Sequence, residues 1–129
     1  MTIEALLADD QDRSREATRH LIENAGDIEV VGEASNGREA VKMTEQLGPD
    51  VVIMDISMPV MNGLQATQEL RDNGSNSPVL ILSIHTDHRY ISRAKELGAC
   101  GYVVKDQVQK RLIEAIRTVA DGKQYFTLQ

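Results

Sequence analysis

The stretch Val51-Val52-Ile53-Met54-Asp55-Ile56-Ser57-Met58-Pro59-Val60-Met61-Asn62-Gly63 decides how this chain folds. Four consecutive apolar residues end on an aspartate. A proline and an Asn-Gly pair follow before the next amphipathic stretch begins. An apolar run without alternation suits a strand covered on both faces, as in a parallel sheet flanked by helices. Pro59 fixes a bend soon after the strand, and Asn62-Gly63 supplies turn and helix-capping chemistry. Asp55 is thereby left at the carboxyl end of the strand, the edge at which open α/β sheets place their ligands.

The same arrangement recurs on either side. Strand-length apolar runs fall at 2–8, 28–34, 51–55, 79–83 and 101–104, and helical patterns at 12–25, 37–47, 63–73, 87–97 and 107–121. Such alternation predicts an α/β fold, a parallel sheet with helices on both faces. Glu29 and Glu33 share one face of the second run, which suits an edge strand. Asn36 with Glu39 suggests a capping box, and Gly48-Pro49 stops that helix. Asp106 is placed to cap the last helix, whose apolar positions Val108, Leu112, Ala115, Ile116 and Val119 keep a helical period. Gly122 lies where a left-handed C-terminal cap is wanted. Residues 1–121 read as one domain, and 122–129 as a terminus or the start of a linker.

A chain of 129 residues is long enough to bury a genuine core as one domain. Its formal charge of −6 argues against direct nucleic-acid contact, which needs clustered Lys and Arg. The single cysteine, Cys100, excludes an internal disulfide and favours the cytosol. No apolar stretch approaches the roughly 18 residues of a membrane span, and the N-terminus lacks a signal-peptide pattern.

Three strand ends carry the chemistry. Asp9 and Asp10 follow the first apolar run, Asp55 ends the third, and Lys105 follows the fifth. Adjacent carboxylates facing a third repel one another unless a cation lies between them. Three carboxylates and one ammonium sum to a charge of −2, which one Mg²⁺ neutralises. Mg²⁺ favours one or two carboxylates together with waters and phosphate oxygens. A carboxylate held beside such an ion and an ammonium can attack phosphorus and form an acyl phosphate. Taken singly, these residues read as helix caps and a solvated loop acid; the constellation favours a site.

Asp9-Asp10, Asp55 with Met58-Pro59 and Asn62-Gly63, Ser83, and Tyr102 three residues before Lys105 together resemble the response-regulator receiver domain of two-component signalling. The resemblance covers essentially the whole chain. Leu82-Ser83-Ile84-His85 and the segment Gly98 to Asp106 are similar to the NarL/FixJ subgroup, which usually carries a C-terminal helix-turn-helix DNA-binding domain. That domain is not among these 129 residues. The resemblance implies a single flavodoxin-like, doubly wound five-stranded parallel sheet of order 2-1-3-4-5 with five helices. It implies that Asp55 is the phosphoacceptor for a sensor histidine kinase. Mg²⁺ would be bound by Asp10 and Asp55, by Asp9 through water, and by the Ser57 backbone carbonyl. Lys105 would pair with the phosphoryl oxygens, Ser83 would donate its hydroxyl to them, and Tyr102 would turn inward as Ser83 moves. Ser57 and His85 would tune the lifetime of the phosphoryl group, and Ile84 would narrow access to it. The implied protein is a cytoplasmic signalling switch rather than an enzyme with a separate substrate. It promotes its own Mg²⁺-dependent phosphorylation and dephosphorylation and controls output, transcription above all. A homodimer formed on phosphorylation would use either the first and fifth helices or the face of helix four, strand five and helix five.

Two other readings compete. An aspartyl-nucleophile phosphatase or phosphotransferase of the haloacid-dehalogenase type has a second acid two residues after the nucleophile, where this chain has Ser57. A nucleotide- or flavin-binding module on the same fold lacks support, because neither GxxxxGK[ST] nor GxGxxG is present. Cys100 reads as a small buried residue, and His20, His85 and His88 lack metal-ligand spacing. Arg13, Arg15 and Arg19 make the first helix basic, either as a solvated face or as a docking surface for the kinase.

Overall fold

The computed structural model describes residues 2–126. The strands are β1 (Ile3–Ala8), β2 (Ile28–Ala34), β3 (Val51–Asp55), β4 (Val79–Ser83) and β5 (Gly101–Val104). They alternate with helices α1 (Asp12–Glu23), α2 (Gly37–Leu47), α3 (Gly63–Asp72), α4 (His88–Glu96) and α5 (Val108–Ala120). The strands form one parallel sheet in the order β2-β1-β3-β4-β5. This is the architecture and strand order expected from the sequence.

Every residue of β3 and β4 is buried, because helices cover both faces. The alternation hidden within these apolar runs sorts side chains into two cores. Leu6, Val52, Met54 and Ile81 pack with Ala40, Ala66, Leu70 and Ala94 from α2, α3 and α4. Leu7, Val51, Ile53 and Leu80 pack on the other face with Ile22, Leu112, Ile116 and Val119 from α1 and α5. Full burial of such a side chain contributes roughly 1.5–3 kcal/mol, so both layers hold the sheet firmly. β2 lies at one edge, with Glu29 and Glu33 exposed as its position requires.

Helix ends depart from expectation in two places. Asn36 accepts from the Glu39 amide at 2.9 Å, but the Glu39 carboxylate accepts from the Ser35 amide and hydroxyl, so no reciprocal box forms there. The complete capping box lies instead at Asn62 and Gln65. Asp106 does not cap α5, which has no side-chain cap. Lys105 turns back toward Asp55 directly after β5, and a tight 3₁₀ turn over Lys105–Gln107 absorbs the position meant for the cap. Gly122 has φ 87°, as a left-handed terminus demands.

The chain after α5 returns to the sheet. Tyr125 bridges Gly101 in parallel, its amide donates to the Cys100 carbonyl at 2.9 Å, and its carbonyl accepts from the Tyr102 amide at 2.9 Å. Its ring is buried, and its hydroxyl donates to the Glu114 carboxylate at 2.8 Å.

Candidate functional site

The site is assembled where β1, β3, β4 and β5 end. Just beyond β1, Asp9 is fixed by its amide, which donates to the Ala34 carbonyl at 3.0 Å, and by its carboxylate, which accepts from the Gln11 amide at 3.0 Å. Asp9 is buried and Asp10 exposed. Asp55, the last residue of β3, is 7% exposed. One carboxylate oxygen from each of Asp9, Asp10 and Asp55 lies within 4.8 Å of the other two. Carboxylate oxygens gathered this closely can converge on one divalent cation. The donor set of hard anionic oxygens fits a hard divalent cation.

Lys105 reaches over from the end of β5, and its Nζ donates to Asp55 Oδ2 at 2.8 Å. Burial pushes the Asp55 carboxyl above its ordinary pKa, the Lys105 ammonium works in the opposite direction, and the nearby Asp9 charge adds to the rise. Asp55 is thus a carboxylate made reluctant to ionise and held against a cation.

Asp10, Asp55, Ser57, Ser83 and Lys105 line one cleft of about 290 Å³. Gln11 and Ser14 complete its wall, two residues that sequence reasoning missed because neither carries a charge pattern. Ile84 also borders the cleft but is 70% exposed, so its side chain flanks the mouth rather than plugging it. Another groove of this region, about 220 Å³ between α1 and α5, has Lys105 and Asp106 on its wall but none of Asp9, Asp10 and Asp55.

The loop from β4 to α4 is tied to the site by three contacts. Ser83 Oγ accepts from the His85 amide at 3.0 Å, and the Ser83 side chain lies beside the Tyr102 hydroxyl. Tyr102 is fully buried and its hydroxyl donates to the His85 carbonyl at 2.8 Å. The His85 ring stacks on Tyr90 of α4 with centroids 3.9 Å apart. Burial raises the Tyr102 pKa, so its hydroxyl keeps its proton and stays a donor.

The loop after β3 explains its own composition. Val60 takes φ 70° at an exposed tip, a left-handed conformation costing a β-branched residue about 1–3 kcal/mol. Met58 is buried and Met61 is packed against the core, anchoring the loop from either side of that strained residue. Gly63 donates its amide to the Ile56 carbonyl at 2.9 Å, and a Cβ there would overlap the Asp55 carbonyl oxygen.

Arg15 and Arg19 do not form a free basic face. Arg15 bonds Glu33 Oε1 at 2.9 Å, Asp12 Oδ1 at 2.8 Å and the Asp9 backbone carbonyl at 2.7 Å. Arg19 pairs with Glu33 at 3.5 Å and Glu23 at 3.8 Å.

A sequence profile described as the response regulator receiver domain matches residues 5–117. The chain is 37% identical over 123 residues to the transcriptional regulatory protein DegU of Brevibacillus brevis, covering 95% of this chain and 52% of that protein. It is equally identical over 123 residues to the response regulator UvrY of Escherichia coli K12, covering 95% of this chain and 56% of that protein. The chain thus spans about half the length of the curated relatives it matches. Among solved structures, a LuxR-family two-component response regulator from Aurantimonas sp. SI85-9A1 superposes with TM-score 0.93 at 33% identity, covering 97% of this chain and 89% of that one. A LuxR-family DNA-binding response regulator from Staphylococcus aureus gives 0.85 at 34% identity, covering 92% and 98%. With the acidic cleft, the parallel sheet and these likenesses in agreement, the chain belongs to the response regulator receiver domain family.

Proposed function

We propose that this domain is a switch thrown by phosphorylation of Asp55. The observation that carries the reading is the meeting of three acidic oxygens, Lys105 and the Ser83 hydroxyl in one cleft. An Asp55 oxygen attacks the phosphorus of a phosphohistidine on a sensor kinase, the O–P bond forming as the P–N bond breaks. Asp10, Asp55 and the Ser57 carbonyl would hold Mg²⁺ directly and Asp9 through water, and the ion would supply charge neutralisation at the transferring oxygens. Lys105 exchanges its bond to Asp55 for one to a phosphoryl oxygen, and Ser83 turns its hydroxyl toward another. Hydrolysis of the acyl phosphate in the same cleft resets the domain.

The energetics are adequate for a switch. Carrying a two-state equilibrium from 1:99 to 99:1 needs about 5.5 kcal/mol of differential binding. Two hydrogen bonds to a charged group supply roughly 1.5–3 kcal/mol each. Movement of Ser83 loosens its hold on the His85 amide, and Tyr102 and the α4 end of the loop respond. The output is transcription, through a DNA-binding domain of the kind that the name of the S. aureus neighbour states. A cytoplasmic setting follows from such a partner. No helix among the described residues is long and apolar enough to cross a membrane.

Intact-mass spectrometry after incubation with acetyl phosphate tests the reading. A base-labile phosphoryl adduct that needs Mg²⁺ is the expected result, and its peptide should map to Asp55. No adduct, together with no binding of beryllofluoride, would return the acid cluster to a plain structural role.

Ser83→Ala should still accept phosphate but respond to it weakly. The variant also deprives the His85 amide of its acceptor, which costs about 1 kcal/mol in stability. Amide chemical shifts of α4 on adding beryllofluoride provide the check: shifts as large as in the wild type would remove Ser83 from the switch.

A further inference from the structure

We infer that Arg15 is a positioning residue for the divalent cation, acting through the backbone of Asp9; this rests on the metal reading above. The guanidinium has three partners at once: one just beyond β1, one in β2 and one in its own helix α1. Its Nη1 donates to the Asp9 carbonyl at 2.7 Å, its Nε to Glu33 at the end of β2, and its Nη2 to Asp12 in the first turn of α1. The Arg15 side chain is 19% exposed; its bond to the Asp9 carbonyl is partly buried, while those to Asp12 and Glu33 lie at the surface. Asp9 is held from the other side by the Ala34 carbonyl and the Gln11 amide. The Arg15 bond is the only side-chain hydrogen bond to the Asp9 backbone among the described residues.

The consequence is geometric and electrostatic. The peptide following Asp9 carries Asp10, so fixing the Asp9 carbonyl fixes the direction in which the Asp10 carboxylate leaves the strand. Arg15 also sets a positive charge directly behind the peptide that joins the two acids, 2.7 Å from the Asp9 carbonyl. Glu33 and Asp12 hold the guanidinium in place without touching the acids. Groups that orient metal ligands in this indirect way typically change metal affinity about 10–100-fold when removed.

The test is a titration of the 129-residue chain with MgCl₂, followed by the amide shifts of Asp10 and Gln11, for wild type, Arg15→Ala, Arg15→Lys, Glu33→Gln and Asp10→Asn. Arg15→Ala should raise the Mg²⁺ dissociation constant about tenfold, the low end of the range for indirect ligand partners. Arg15→Lys should recover part of that loss, because it keeps a charge and one donor. Glu33→Gln breaks the same surface ion pair but leaves the Asp9 bond, and should stay within about twofold of wild type. If Arg15→Ala and Glu33→Gln weaken binding equally, Arg15 merely stabilises the fold and the inference is overturned. The inference also falls alone if wild type binds saturably and Arg15→Ala binds as tightly. If wild type and Asp10→Asn both show no saturable shift, the metal reading has failed and takes this inference with it.

Discussion

Asp55→Asn will abolish the phosphoryl adduct and, at the same time, make the fold more stable at neutral pH. The first effect follows because an amide oxygen bears no charge with which to attack phosphorus. The second follows from the direction of the Asp55 pKa, which burial holds above its ordinary value despite the bond to Lys105. A carboxyl whose pKa is raised on folding favours the folded state below its unfolded value, and that advantage is lost as pH rises through the folded value. At neutral pH the wild type therefore carries the cost of an ionised, nearly buried carboxylate beside Asp9. Asparagine removes that cost, so the gain in thermal stability should be present at neutral pH and shrink toward about pH 4, near the unfolded value. Saturating Mg²⁺ should narrow the gap, since a ligand at a hundred times its dissociation constant stabilises by about 2.7 kcal/mol. A less stable variant at neutral pH would mean that the Lys105 bond outweighs desolvation.

Gly63→Ala should cripple both folding and phosphoryl acceptance. The new Cβ would overlap the Asp55 carbonyl oxygen and lie 2.9 Å from the Asp55 carbonyl carbon and 2.9 Å from Met54 Cγ. Two of these three atoms are backbone of the central strand and cannot swing aside. Alanine gains up to about 1 kcal/mol of helix propensity over glycine, but overpacking typically costs about 1–3 kcal/mol and more where backbone must move. Sterics win, and the displaced backbone is that of Asp55, which carries the proposed nucleophile. Thermal unfolding and adduct formation should therefore fall together. Wild-type behaviour in both would show that α3 can shift away from β3 at no cost.

The fold was largely legible in the sequence because its signals are local. Continuous apolar runs at 51–54 and 79–82 demand cover on both faces, and both strands are entirely buried. Asp9, Asp10, Asp55 and Lys105 could be grouped because each directly ends or follows a strand of a parallel sheet. What escaped depends on contacts between distant residues. Arg15 looks basic in sequence, yet Glu33, 18 positions on, and the Asp9 carbonyl claim it. Gly63 was read as a turn residue, whereas the closeness of the Asp55 carbonyl gives the stronger reason for it. Asp106 had the right chemistry for a cap, but the reach of Lys105 toward Asp55 set the backbone first.

The return of Tyr125 to the sheet bears on self-association. An exposed outer strand offers unpaired amides and carbonyls to a neighbouring molecule, a common beginning of aggregation. On the β5 side, the Cys100 carbonyl and the Tyr102 amide are already occupied by Tyr125, and Phe126 beyond it packs under the Lys95 ammonium, 4.7 Å from its ring centre. On the β2 side, Glu29 is exposed and Glu33 is engaged with Arg15 and Arg19, so charged side chains flank that edge. One edge is closed by pairing and the other carries acidic side chains, so neither offers a bare apolar strand for sheet-to-sheet joining.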